Sequence, residues 1–71
     1  MRIRLNDAGF TDDLLEFLRR VGCLAVRIDR LTVEAHLLNS VSERYDRQEL
    51  GAYLKAWQAM HPETAAELSD Q

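Results

Sequence analysis

From Cys23 to Leu37 the chain alternates with period two almost without interruption. Leu24, Val26 and Ile28 form one apolar set and Leu31, Val33, Ala35 and Leu37 the next, with Asp29-Arg30 between them. Such patterning places successive side chains on opposite faces of a strand, so the stretch reads as two strands of a β-hairpin. A two-residue Asp29-Arg30 loop sets Ile28 opposite Leu31, Val26 opposite Val33 and Leu24 opposite Ala35. Every inward residue then meets an inward residue, and Cys23 falls opposite His36. Asp-Arg is a poor tight turn because a residue with a Cβ resists positive φ, and a longer loop or a bulge would relieve it.

A lone hairpin is marginal in water, so the rest of the chain must cover its apolar face. Met1-Arg2-Ile3-Arg4-Leu5 alternates in the same way and runs into Asn6-Asp7-Ala8-Gly9, which is turn chemistry; this predicts a short strand with Ile3 and Leu5 inward. Thr11 reads as an N-cap, Phe10 can staple onto Leu15, Asp12 and Asp13 suit the positive end, and Arg19, Arg20 and Gly22 supply C-terminal signals. A helix over about 12–21 follows, with Leu14, Phe17, Leu18 and Val21 on its apolar stripe.

Ser40-x-x-Glu43 and Asp46-x-x-Glu49 both resemble capping boxes, and the earlier start, near residue 41, is preferred for a second helix. Its stripe is Leu50, Tyr53, Leu54, Trp57 and Met60, and His61-Pro62 ends it because proline disfavours α conformation in the residue before it. The tail, 63–71, stays open at this level. Pro62 can begin a short helix, Thr64, Ala66 and Leu68 can face inward from an edge strand, or the segment stays disordered.

The order β-α-β-β-α, with an optional last strand, is α+β. A right-handed crossover from the first strand to the second leaves a gap that the third fills, giving sheet order 2-3-1, a fourth strand beside the first, and both helices on one face. This resembles the split βαβ, ferredoxin-like arrangement. The chain reads as a single domain over 1–71, and that topology serves too many unrelated functions to imply an activity.

The formal net charge of −3 argues against a nucleic-acid partner. Thr32, Glu34 and His36 stand where an RNA-binding sheet of this topology would present aromatic residues. No apolar run is long enough to span a membrane, and Met1–Leu5 lacks the continuous apolar stretch of a secretory signal. One cysteine allows no internal disulfide. A cytoplasmic protein without membrane contact is expected.

Arg2, Arg4, Arg27, Thr32, Glu34 and His36 share the open face of the expected sheet, a candidate site for an anion or small carboxylate. The plainer account is cross-strand ion pairing, for instance Arg27 diagonal to Glu34. Asn6–Thr11 leads into a helix but lacks a glycine fingerprint and a P-loop lysine, and Asp7, Asp12 and Asp13 would repel phosphate. With Glu16 these acids have no calcium-loop spacing and read as dipole-complementing residues. Cys23 reads as an inert buried thiol with His36 as its nearest candidate base, and His61 as a helix C-terminal cation.

Catalytic, cofactor-binding and metal-binding residues are therefore all expected to be none. Tyr53, Ala56, Trp57 and Met60, beside Ala52 and Ala59, form a candidate interface, although the spacing of Trp57 is first that of core. The expected function is a small non-enzymatic protein–protein interaction module, with itself (a homodimer) or another protein as partner. Its contact is the edge of the first strand, should the tail leave that edge open, or the flank of the second helix. The alternative is a small-ligand or anion-sensing domain using the arginine-bearing sheet face.

Overall fold

The computed structural model describes residues 1–38 and 42–69. In chain order they form strand β1 (Arg2–Leu5), a short 3-10 turn (Ala8–Phe10), helix α1 (Thr11–Arg20), β2 (Cys23–Asp29), β3 (Thr32–Leu37), helix α2 (Glu43–Met60) and β4 (Ala66–Ser69). The four strands make one antiparallel sheet in the order β2-β3-β1-β4, the α+β ferredoxin-like arrangement expected from the element order. Both helices pack on one face, where Ile3, Leu5, Leu14, Leu18, Val33, Ala35, Leu50, Leu54 and Trp57 share one buried cluster.

The tail is a strand. Ala66, Glu67, Leu68 and Ser69 pair with Leu5, Arg4, Ile3 and Arg2, so β1 lies inside the sheet and offers no edge to a partner. Two side-chain amides hold the tail there. Asn6 Oδ1 accepts from Thr64 Oγ1 (2.7 Å) and from the Ala65 N–H (2.9 Å). Gln58 donates through Nε2 to the carbonyls of His61 and Thr64 and accepts the Ala66 N–H at Oε1. Thr64 is buried, and Ala66 and Leu68 pack against the core.

The helices differ from expectation at their starts. Phe10 occupies the N-cap of α1 without a capping side chain, while Thr11 lies inside the first turn, fully buried, and donates through Oγ1 to the Arg30 carbonyl (2.6 Å). Its hydroxyl ties the helix to the β2–β3 turn instead of capping. Asp7 caps the preceding 3-10 turn by accepting from the Gly9 N–H. In α2 the cap is Ser42, whose Oγ accepts from the Tyr45 N–H (3.1 Å); the box begun by Ser40 lies outside the described residues. Gly22, at φ +98°, turns the chain from α1 into β2, a conformation that glycine takes without a Cβ penalty.

The largest departure is the hairpin register. Cys23 pairs with Leu37, Leu24 with His36, Ala25 with Ala35, Val26 with Glu34 and Arg27 with Val33, one residue out of step with the expectation. The turn is Arg30-Leu31, with Asp29 Oδ1 accepting the Leu31 N–H, and no non-glycine residue takes positive φ among the described residues. Primed turns are therefore excluded, and the strand twist is accommodated by an irregularity at Ile28, between Arg27 and Asp29. Because the side-chain period is two, the slip exchanges the faces of β2. Cys23 and Ala25 lie beneath α1, where their small size lets Leu14 and Leu18 sit close, and Leu24, Val26 and Ile28 turn to the open side.

Candidate functional site

The open face can be set out by its cross-strand rows. Leu24 lies beside His36. In the next row Val26, Glu34, Arg2 and Ser69 stand side by side across all four strands, and in the row after that Thr32, Arg4 and Glu67 follow the Ile28 end of β2. The polar and charged residues anticipated on this face at β1 and β3 are thus present: Arg2, Arg4, Thr32, Glu34 and His36. Arg27 is not among them. It belongs to the helix-side set of β2, where its Nη1 meets Asp12 Oδ1 at 2.8 Å, so neither the convergence with Arg2 and Arg4 nor the diagonal pair with Glu34 exists.

Glu34 is the hub of the charged part. Its Oε2 takes the Met1 ammonium (2.9 Å) and His36 Nε2 (2.9 Å), and its Oε1 takes Arg2 Nε (3.2 Å). The ammonium's hydrogen bond first, then Arg2 and His36, holds the Glu34 carboxyl below the usual glutamate range against an opposing effect of burial. Among the described residues Arg4 makes no ion pair within 4.0 Å; its charge helps to keep Asp29 low, after the hydrogen bonds that Asp29 accepts from the Leu31 N–H and the Thr32 hydroxyl. Arg2, Arg4, Ile28, Asp29, Thr32 and Ser69 line a shallow hollow of about 340 Å³.

The apolar part is the more unusual. Leu24 is 59% exposed, Val26 56% and Ile28 44%, three aliphatic side chains in a row on an outer strand. Scattered surface aliphatics need no explanation, whereas a contiguous row does. A groove of about 660 Å³ follows this flank, lined by Arg19, Cys23, Leu24, Ala25, Val26, Glu34 and His36.

The other candidates resolve as structure. Cys23 and His36 are not opposite one another and face opposite sides of the sheet; Cys23 is buried, and burial followed by the Glu49 charge pushes its thiol up, away from the reactive thiolate. His61 caps α2. Its Nδ1 lies 3.0 Å from the Trp57 carbonyl and its Nε2 2.8 Å from Asp13 Oδ2, so both ring nitrogens face groups of the chain's own structure. Among the described residues no group of three His, Cys, Asp or Glu side chains is placed to hold a metal.

Of the helix-flank candidates, Trp57 is fully buried, donates from Nε1 to Asp13 (3.1 Å) and stacks on His61, so it belongs to the core and not to a surface. Tyr53 is half-buried, Ala56 is exposed, and Met60, expected inward, is 59% exposed. Among the described residues no helix is long and apolar enough to cross a membrane.

The β2 stripe escaped the sequence reading because β2 is apolar on both faces, Cys23 and Ala25 on one and Leu24, Val26 and Ile28 on the other. Side-chain size alone favours the larger set inside.

The chain matches no known family model, no curated protein and no solved structure.

Proposed function

We propose that this protein is a non-enzymatic interaction module that works as a homodimer through the open face of its sheet. The observation that carries the reading is the row Leu24, Val26 and Ile28, exposed on an outer strand while smaller residues of the same strand fill the core. An isolated monomer gains nothing by holding three aliphatic side chains in water; covering them is worth about 25 cal/mol per Å². The flank of α2 is a weaker competitor, since its exposed residues are mostly alanines, which good helix propensity explains.

Sedimentation equilibrium tests the reading: the parent chain should rise from its monomer mass of 8.2 kDa towards the dimer with concentration. A monomer at every concentration up to about 1 mM, the range in which small interfaces associate, would refute it.

A ligand-sensing reading keeps one observation in its favour, Arg4, without an ion pair among the described residues, beside Thr32 in the hollow described above. The Asp29 carboxylate shares that hollow and opposes an anion. Titration with phosphate and small carboxylates, with Arg4→Ala as control, separates the two readings, and heat absent from both proteins ends the second one.

A further inference from the structure

We propose that His61 is a proton-operated latch on the C-terminal strand: with a proton on each ring nitrogen it keeps β4 docked beside β1, and loss of one proton loosens β4. His61 follows α2 and packs against α1, away from the open face, so the latch is independent of the homodimer.

The end of α2 leaves an acceptor unserved. In a continuing helix the Trp57 carbonyl would accept the N–H four residues on, that of His61. Here the His61 N–H bonds to the Gln58 carbonyl instead (3.1 Å), and His61 Nδ1 takes up the Trp57 carbonyl at 3.0 Å. On the other side of the ring, Nε2 lies 2.8 Å from Asp13 Oδ2, the same oxygen that accepts the Trp57 Nε1–H (3.1 Å). A carbonyl and a carboxylate oxygen only accept, so a hydrogen bond at each ring nitrogen requires a proton on each, which is the imidazolium. The neutral ring has one N–H and must turn a lone pair towards one of the two oxygens. Stacking on Trp57 (4.5 Å, 23°) and an edge contact with Phe10 (5.6 Å) keep the ring from turning away in place. The side chain is 22% exposed, so its proton can reach water. Of the other charged groups nearby, Glu16 and Arg20 of α1 line the same cleft but pair with each other (3.6 Å), α2 contributes Trp57 and Met60, and Glu63 in the tail is exposed.

The same residue begins the tail. Its carbonyl accepts the Thr64 N–H (3.2 Å) and a Gln58 Nε2–H (3.0 Å). Gln58 also donates to the Thr64 carbonyl and accepts the Ala66 N–H, and Thr64 donates to Asn6. A ring that leaves Asp13 and the Trp57 carbonyl therefore moves the backbone on which these bonds to β4 are built. The strand itself is four residues long and pairs on one side with β1. Its release uncovers the backbone edge of β1.

The experiment is amide hydrogen exchange at Ala66–Ser69, corrected for the intrinsic pH dependence of exchange, beside the ring ¹⁵N shifts of His61. It runs from about pH 5.5 upwards until those shifts report the neutral ring. In the parent, β4 exchange should accelerate about tenfold or more as the ring loses its proton, while the central amides of α1 and β3 change by less than about twofold. His36→Gln should keep that rise, because His36 pairs with Glu34 on the other face of the sheet. His61→Gln should abolish it, having no proton to lose. Asp13→Asn is the second variant should His61→Gln fail to fold; its amide can donate to the neutral ring, so it too should abolish the rise. The latch is overturned by β4 exchange that stays within about twofold while the ring titrates, by a rise that survives His61→Gln or Asp13→Asn, or by an equal rise in α1 and β3, which is global unfolding.

Discussion

Replacing Trp57 by Ala tests how the small core is held. The indole is fully buried, lies against His61 with ring centroids 4.5 Å apart and an interplanar angle of 23°, and meets the edge of Phe10 at 6.4 Å. Its Nε1–H donates to Asp13 on α1, so one side chain joins the end of α2 to the start of α1. Truncating a buried Trp to Ala costs about 3–5 kcal/mol in transfer and cavity terms. The lost hydrogen bond adds little, because Asp13 is half exposed and regains water.

At 0.05–0.15 kcal/mol per residue, a chain of this length has about 4–11 kcal/mol of stability, so Trp57→Ala removes a large part of it or all of it. Trp57→Phe keeps an aromatic ring against His61 and Phe10 and should cost about 1–2 kcal/mol. As Trp57 is the one tryptophan, urea unfolding must be followed by far-UV circular dichroism. One kcal/mol corresponds to roughly 4–8 °C in Tm for a domain of this size, so the Ala variant should melt at least about 12 °C below the parent or be unfolded at room temperature. An Ala variant within about 5 °C of the parent, or a Phe variant as damaged as the Ala one, would refute the account of Trp57 as the joint between the helices.

Three further outcomes follow. Gln58→Ala should release β4 first: hydrogen exchange at Ala66–Ser69 should rise at least tenfold while α1 keeps its protection, and uniform acceleration would show that the tail is not a separate unit. Glu34 has a lowered folded-state pKa, so it contributes stability above its unfolded pKa that is lost as the pH falls through the folded value; Glu34→Gln should flatten the acid limb of the stability–pH curve, and an unchanged limb would refute the hub. Deleting Ile28 should force Arg30-Leu31 into a primed turn at about 1–3 kcal/mol per strained residue, and Arg30→Asn with Leu31→Gly should recover most of the loss. Recovery failing in the triple variant would show that the irregularity at Ile28 does more than absorb twist.

What was legible in the sequence divides by how many faces of each element are apolar. In β1, Ile3 and Leu5 alternate with Arg2 and Arg4, and only one phase buries the aliphatics. The stripe of α1 was readable at Leu14 and Leu18 for the same reason. The inward trio of the tail, Thr64, Ala66 and Leu68, was available as one of several conformations, but its selection depends on Asn6 and Gln58, whose bonds to the tail span up to 59 residues of sequence and leave no local signal. Thr11 illustrates a different failure. Local chemistry makes threonine a good cap, and a tertiary acceptor, the Arg30 carbonyl, claims its hydroxyl instead.

The hairpin register bears most directly on function. With apolar residues in both phases, β2 could bury either set, and preferring the larger side chains inside gives a face on which Arg27 joins Arg2 and Arg4 in a cationic cluster. A one-residue slip removes Arg27 to the helix side, where Asp12 neutralises it, and brings Leu24, Val26 and Ile28 into its place. The same four strands in the same order thus change from a surface suited to an anion to one suited to an apolar partner. Glu34 on the open face is compensated within the chain, which leaves the aliphatic row, beside Arg4, as the larger part of that face without a partner among the described residues. Neither element content nor strand order distinguishes these two surfaces; the distinction lies in whether the turn begins at Asp29 or at Arg30, and that is decided by which residues are spared positive φ.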